Sequence, residues 1–160
     1  MPDGNFEYQI GDMLRYEGLK LAVAESCTGG LIGHLITNAP GSSDYFMGSV
    51  ISYSDKVKIH IVGVRPETIE NYGAVSRETV LEMAHGVRLA LNADIGLSVS
   101  GIAGPGGGTT EKPVGTVWIG LNAQDMNNAW CYHWDGNRIE VKEQTAQQAL
   151  KLLINYVSEI

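Results

Sequence analysis

Three stretches of the chain hold residue types that could act chemically on a small molecule. The first is Ala24-Glu25-Ser26-Cys27-Thr28-Gly29-Gly30. The apolar run LAVA at 21–24 ends in small residues that turn the chain, and a helical apolar pattern resumes at Leu31. A strand–turn–helix of this kind presents backbone N–H groups of Thr28, Gly29 and Gly30 beside a hydroxyl. Such donors can stabilise the oxyanion formed when a nucleophile attacks a carbonyl. Ser26 is the candidate nucleophile; the plainer alternative is that Ser26 or Thr28 only caps the following helix. Cys27 is the rival, because a thiol at a helix N-terminus can ionise more readily. If the strand alternation continues into the turn, Ser26 and Cys27 point to opposite sides and only one faces a site.

The second stretch is Tyr53-Ser54-Asp55-Lys56-Val57-Lys58. A serine hydroxyl is a weak nucleophile until a base takes its proton. His34, His60, His85 and His133 are scattered, and His34 and His85 fall inside helical patterns, so a Ser-His-Asp triad has little support. A lysine can serve instead if burial keeps its amine neutral, with the neighbouring tyrosine hydroxyl relaying the proton or holding substrate. Taken singly, Lys56 and Lys58 would each be a solvated surface charge. The third stretch runs from Ser100 through Gly101-Ile102-Ala103-Gly104-Pro105-Gly106-Gly107-Gly108 to Thr110, directly after an apolar strand. Backbone amides near Gly104, Gly106 and Gly107 could cradle a phosphate, the alternative being a flexible connector. No GK[ST] follows, so a nucleoside triphosphate site is not indicated. Neither HExxH nor paired CxxC occurs, and no metal site is expected.

The elements that must position these residues follow from periodicity. Residues 5–17 suit a short amphipathic helix with Ile10, Met13 and Leu14 on one side. Leu31, Ile32, Leu35 and Ile36 recur at helical spacing up to Asn38-Ala39-Pro40-Gly41. Met47–Tyr53 is rich in strand formers, Asp55–Ile61 suits a short helix, and Pro66 suits the first turn of another. Ser76 is placed to cap a helix whose stripe is Val80, Met83, Ala84, Val87 and Leu91. Ile95–Ser100 reads as a strand, and Thr116–Asn122 with Ala129–Trp134 as a hairpin linked by Asp125–Asn128. A C-terminal helix carries Ala146, Ala149, Leu150, Leu153, Ile154 and Val157. Strands interleaved with helices predict a three-layer α/β/α sandwich, and the late hairpin makes its sheet mixed, mostly parallel.

Composition sets the limits. At 160 residues, one domain over 1–160 can bury a core without disulfides or metal. A formal charge of −7 disfavours general nucleic-acid binding but leaves room for one anionic small molecule held by local donors. Two cysteines, Cys27 and Cys131, cannot form a disulfide framework and fit a reducing compartment. The acidic N-terminus lacks a signal-peptide pattern, and no apolar run nears the roughly 20 residues of a membrane span. A cytoplasmic protein without nucleic-acid or membrane partners is expected.

Several long strings resemble one family. LAVAESCTGG, GSVISYSDKVKIHIVGV, NYGAVSRETV, SVSGIAGPGGGTTEKPVGTVWIGL and the GNR before the last helix are similar to the CinA C-terminal domain, from about Lys20 to Ala149. The resemblance implies a nicotinamide-nucleotide amidase. It would convert nicotinamide mononucleotide (NMN) and water to nicotinate mononucleotide and ammonia with no metal or organic cofactor. It implies Ser26 as nucleophile and places the tyrosine and lysine of a YS-x-x-x-K pattern on Tyr53 and Lys58. Where this chain has Lys56, the family usually has an acidic residue, so two lysines are available: the spacing selects Lys58 as the base, with Lys56 the competitor for that role. Two residues apart on a helix diverge by about 200°, so a helical segment would turn Lys56 to solvent and Lys58 inward. Ser100 and the Gly104–Gly108 loop are the expected substrate contacts, the phosphate lying against the loop with Arg138 as a candidate partner, the alternative being that Arg138 is a surface residue near the helix start. The chain looks like a stand-alone amidase form, without the nucleotide-processing N-terminal domain of larger relatives. A homo-oligomer is expected, with hairpin Trp or Tyr residues as its interface. Two rival functions remain: a non-catalytic pyridine-nucleotide-binding module linked to competence or DNA-damage functions, and a Cys27-dependent amidohydrolase.

Overall fold

A computed structural model of the chain describes residues 5–160; the first four residues of the acidic N-terminal stretch lie outside it. Helix α1 (Phe6–Glu17) leads into strand β1 (Leu21–Glu25), helix α2 (Leu31–Asn38) and, after a 3-10 turn at Ser42–Asp44, strand β2 (Phe46–Ile51). Helices α3 (Asp55–His60), α4 (Pro66–Tyr72) and α5 (Arg77–Ala90) follow, then strands β3 (Ile95–Gly101), β4 (Thr116–Ala123) and β5 (Met126–His133), and helix α6 (Arg138–Ser158). The sheet order is β2-β1-β3-β4-β5. Strand β1 pairs in parallel with β2 and β3, while β4 is antiparallel to both β3 and β5. Four strands therefore run one way and β4 opposes them, as the mixed, mostly parallel expectation requires.

All of β1 is buried, and its alternation divides the core. Leu21 and Val23 join Ile10, Ile32, Ile36, Leu150 and Leu153 on the face covered by α1, α2 and α6. Ala22 and Ala24 join Val80, Met83 and Val87 on the face covered by α5. Small residues let α5 lie close. A Cβ on Gly96 would sit 2.0 Å from the Ala84 carbonyl oxygen, and one on Gly120 2.6 Å from that of Val80. Ser76 caps α5 as its position suggests, its Oγ accepting from the Thr79 amide at 3.2 Å.

The hairpin differs from expectation. Ala123 pairs with Met126, so the turn is only Gln124-Asp125, and Met126–Asn128 belong to β5 rather than to a linker. Side-chain bonds on the ladder outweigh the poor strand preference of asparagine: Asn122 Nδ2 donates to Asn127 Oδ1 at 3.1 Å, and Arg77 donates to Asn128 Oδ1. The hairpin aromatics Trp130, Tyr132 and Trp134 pack, partly buried, on the α6-side core, with Tyr132 and Trp134 stacked at 4.9 Å. Among the described residues, no helix is long and apolar enough to cross a membrane.

The chain leaves β1 through α2 on one face and leaves β2 through α3–α5 on the other. The strand order thus reverses between β1 and β3, and a crevice opens at their carboxyl ends, where open α/β sheets bind ligands.

Candidate active site

Ser26 is the first residue beyond β1 and carries on its alternation, on the side of Ala22 and Ala24. Cys27 turns to the opposite side and joins the α6-side core. Burial pushes the Cys27 thiol up to about 12, against smaller opposing effects of its own amide and Lys58. A thiol held neutral in this way is a poor nucleophile.

Lysine 58 arrives from α3. Ser54 caps that helix, its Oγ accepting from the Val57 amide at 3.2 Å. Ser52 anchors the preceding link, because its amide donates to the Glu25 carbonyl at 2.7 Å, at the end of β1. The short helix turns Lys56 to solvent and Lys58 inward, where only 1% of Lys58 is exposed. Lys58 Nζ lies 3.0 Å from Ser26 Oγ, 2.9 Å from the Ser52 carbonyl oxygen and 3.0 Å from that of Tyr53. Burial lowers its pKa from the ordinary lysine value, partly opposed by the negative charge of Asp55.

Tyr53 lines the cavity and reaches Lys58 through its main chain, with no hydrogen bond between its phenol and the amine among the described residues. Its carbonyl oxygen holds the amine, while its hydroxyl accepts from Arg138 at 3.1 Å. The ring lies on the exposed side of the link, which carries the phenol outward. Arg138 also donates to the Gly104 carbonyl oxygen at 2.7 Å. Asn137 caps the helix and places Arg138 first in it: Asn137 Oδ1 accepts from the Glu140 amide at 2.9 Å, and Glu140 accepts in return from the Asn137 amide. Both acceptors of Arg138 are neutral, and it makes no ion pair among the described residues.

These groups surround a cavity of about 280 Å³ whose walls include Ser26, Lys58, Ser100, Gly104, Gly107 and Arg138. Ser100, at the end of β3, is 1% exposed, and its hydroxyl makes no hydrogen bond among the described residues. The loop beyond it is pinned at its base, where the Ile102 amide donates to the Thr116 carbonyl and the Gly115 amide to that of Ile102. Between these bonds, the amides of Ala103, Gly104, Gly106 and Gly107 donate to nothing among the described residues. Gly104 and Gly107 have φ of +83° and +88°, whereas Gly106 has ordinary φ and open space around it.

Thr28, Gly29 and Gly30 do not line the cavity, contrary to the sequence expectation. The Gly29 amide is spent on the Ser26 carbonyl at 3.1 Å. The reason for the turn's direction is Glu25, which sequence reasoning passed over. Its fully buried carboxylate accepts from the Ile32 and Gly33 amides at 2.8 and 3.1 Å, and from the Thr28 and Ser49 hydroxyls at 2.7 and 2.6 Å. The first turn of α2 is thereby closed by the chain's own carboxylate. An acidic residue ending an otherwise apolar strand, just before a helix start, was the available signal. Cys27 does line the cavity, and its amide donates to no other residue among those described. Among the described residues, no group of three or more His, Cys, Asp or Glu side chains is placed to hold a metal ion.

Fold and site together define an α/β domain with a buried serine–lysine pair at the carboxyl ends of two parallel strands. The model of the CinA C-terminal domain matches residues 4–157, and the chain belongs to that family. A Moorella thermoacetica relative with a competence-damage inducible name is 48% identical over 151 residues, covering 94% of this chain and 36% of its own length. A CinA-like protein of Thermotoga neapolitana is 43% identical over 159 residues, covering 99% of this chain and 39% of its own length. The chain thus spans little more than a third of these relatives. A crystal structure of a CinA superfamily protein from Klebsiella pneumoniae superposes with a TM-score of 0.93 at 30% identity, covering 97% of each chain.

Proposed function

We propose that this domain hydrolyses the carboxamide of NMN to nicotinate mononucleotide and ammonia through a serine acyl-enzyme. The observation that carries the proposal is the 3.0 Å approach of Lys58 Nζ to Ser26 Oγ inside a ligand-sized cavity. A neutral lysine amine has two N–H bonds and one lone pair. With those bonds directed to the Ser52 and Tyr53 carbonyl oxygens, the lone pair faces Ser26. Ser26 then donates its proton to Lys58 as its oxygen attacks the carboxamide carbon. The Cys27 amide, next to the nucleophile, stabilises the oxyanion. Lys58 passes the proton to the departing nitrogen, the C–N bond breaks, and ammonia leaves. Water attacks the resulting ester, again giving a proton to Lys58, which returns it to Ser26 as the acid departs. No step needs a metal or organic cofactor.

Substrate selection is assigned to the other wall. The phosphate meets Arg138 and the free loop amides, and Ser100 supplies a hydroxyl near the reacting group. Tyr53 acts on the substrate side by holding Arg138. The high pKa of the Cys27 thiol opposes the cysteine mechanism. The decisive assay is ammonia release from NMN by the purified protein, with nicotinamide and NAD as controls. Release from NMN, with little from nicotinamide, is expected; none from NMN overturns the proposal.

The loop carries a separate prediction. Gly107→Val forces a β-branched residue into a positive φ, a strain of about 1–3 kcal/mol. The expected result is a rise in KM for NMN of about tenfold, with kcat changed less. Gly106→Ala, at ordinary φ and in open space, should raise KM less than Gly107→Val. Steady-state kinetics with a melting curve for each variant checks this, and equal KM values for all three proteins would reduce the loop to a connector.

A further inference from the structure

Asp55, an exposed residue, is the one acidic residue among those lining the cavity, beside the basic residues Lys58 and Arg138. Asp55 is the first residue of α3 and makes neither an ion pair nor a side-chain hydrogen bond among the described residues. Its charge works against the base, since it favours protonated Lys58. An acidic residue in a helix's first turn stabilises that terminus, but this does not require the residue to lie on a cavity wall. Its position therefore calls for a ligand group that gains from a negative charge.

We propose that Asp55 is a specificity-determining residue that recognises the fixed positive charge of an N-alkylated pyridinium ring. The inference rests on the NMN reading of the site and deepens it. Asp55 and Lys58 are three residues apart on α3, so their Cβ atoms lie side by side at roughly 5–6 Å. The pyridinium nitrogen is separated from the carboxamide carbon by two ring atoms, a shorter span that the reach of the aspartate side chain makes up. With the carboxamide at Ser26 and Lys58, the cationic part of the ring falls beside Asp55, and the phosphate lies toward Arg138. The substrate's separated positive and negative charges thus meet Asp55 and Arg138 respectively. Reduction of the ring removes its charge while leaving carboxamide, ribose and phosphate in place, so the reduced mononucleotide is the matched neutral probe.

The test measures equilibrium binding of NMN and its reduced form to Ser26→Ala protein, with and without Asp55→Asn. The Asp55 protein should prefer NMN by roughly fivefold, the effect expected of a partly screened charge pair. Asp55→Asn should bring the ratio close to one, with affinity for the reduced form nearly unchanged, and Asp55→Glu should keep the preference. A ratio unaffected by Asp55→Asn overturns the proposal. So does an equal loss of affinity for both ligands, which would assign Asp55 to the ribose hydroxyls, and so does failure of NMN to bind. The expected ratios without ammonia release by wild-type protein would remove the hydrolytic reading and leave cationic-ring recognition standing.

Discussion

Lys58→Met is expected to lower NMN turnover by about 10²–10⁴-fold, the usual contribution of a positioned general base. Lys56→Met should leave turnover within about twofold, the difference between a base and an exposed charge. An unperturbed lysine is neutral roughly once in 2,500 molecules at pH 7, so the burial that depresses Lys58 decides how much active enzyme exists. The direction of the pH effect follows. Activity should be present above the lowered Lys58 pKa and fall as pH drops through it, so the acid limb lies below the ordinary lysine range. The same shift makes the folded protein bind fewer protons than the unfolded chain between the folded and unfolded Lys58 pKa values. This group's contribution to stability therefore rises with pH across that window. A pH–rate profile of kcat/KM for the three proteins checks the assignment. Equal tolerance of both substitutions would remove the serine–lysine mechanism, and an essential Lys56 with a dispensable Lys58 would contradict the geometry of α3.

Ser26→Ala should reduce turnover by at least about 10⁴-fold with the melting temperature nearly unchanged, because removing a nucleophile abolishes the covalent route. Cys27→Ala should stay within severalfold of wild-type turnover and lose about 1 kcal/mol of stability from a small packing defect. Turnover by folded Ser26→Ala close to wild type would end the serine assignment. A folded but inactive Cys27→Ala protein would transfer it to the thiol, against the burial of that group.

The sequence was most informative where local rules and packing agree. Helical spacing predicted the opposite fates of Lys56 and Lys58, and strand alternation predicted the divergence of Ser26 from Cys27. The cap at Ser76 and the inward stripe of α5 followed from the same periodicities. What remained hidden depended on residues distant in the chain. Tyr53 meets Arg138 across 85 positions, so its neighbour in sequence, Lys58, was the more visible partner. The Thr28–Gly30 turn faces away from the cavity because Glu25 is bonded at once to α2 and to Ser49 of β2; the bonds to α2 are local, whereas the one to Ser49 spans 24 positions. The asparagines entered β5 because their partners lie on β4 and α5.

Glu25 bears on how the turn carrying Ser26 is prepared. In many nucleotide-binding α/β proteins, the ligand's phosphate completes the turn after the first strand. In this chain an internal carboxylate closes the turn, so the turn bearing Ser26 is assembled as part of the fold. On the proposed reading, substrate binding has no disorder to remove at the nucleophile. The integrity of the serine's surroundings then tracks global stability, and heat or denaturant, rather than scarcity of ligand, is what takes them apart.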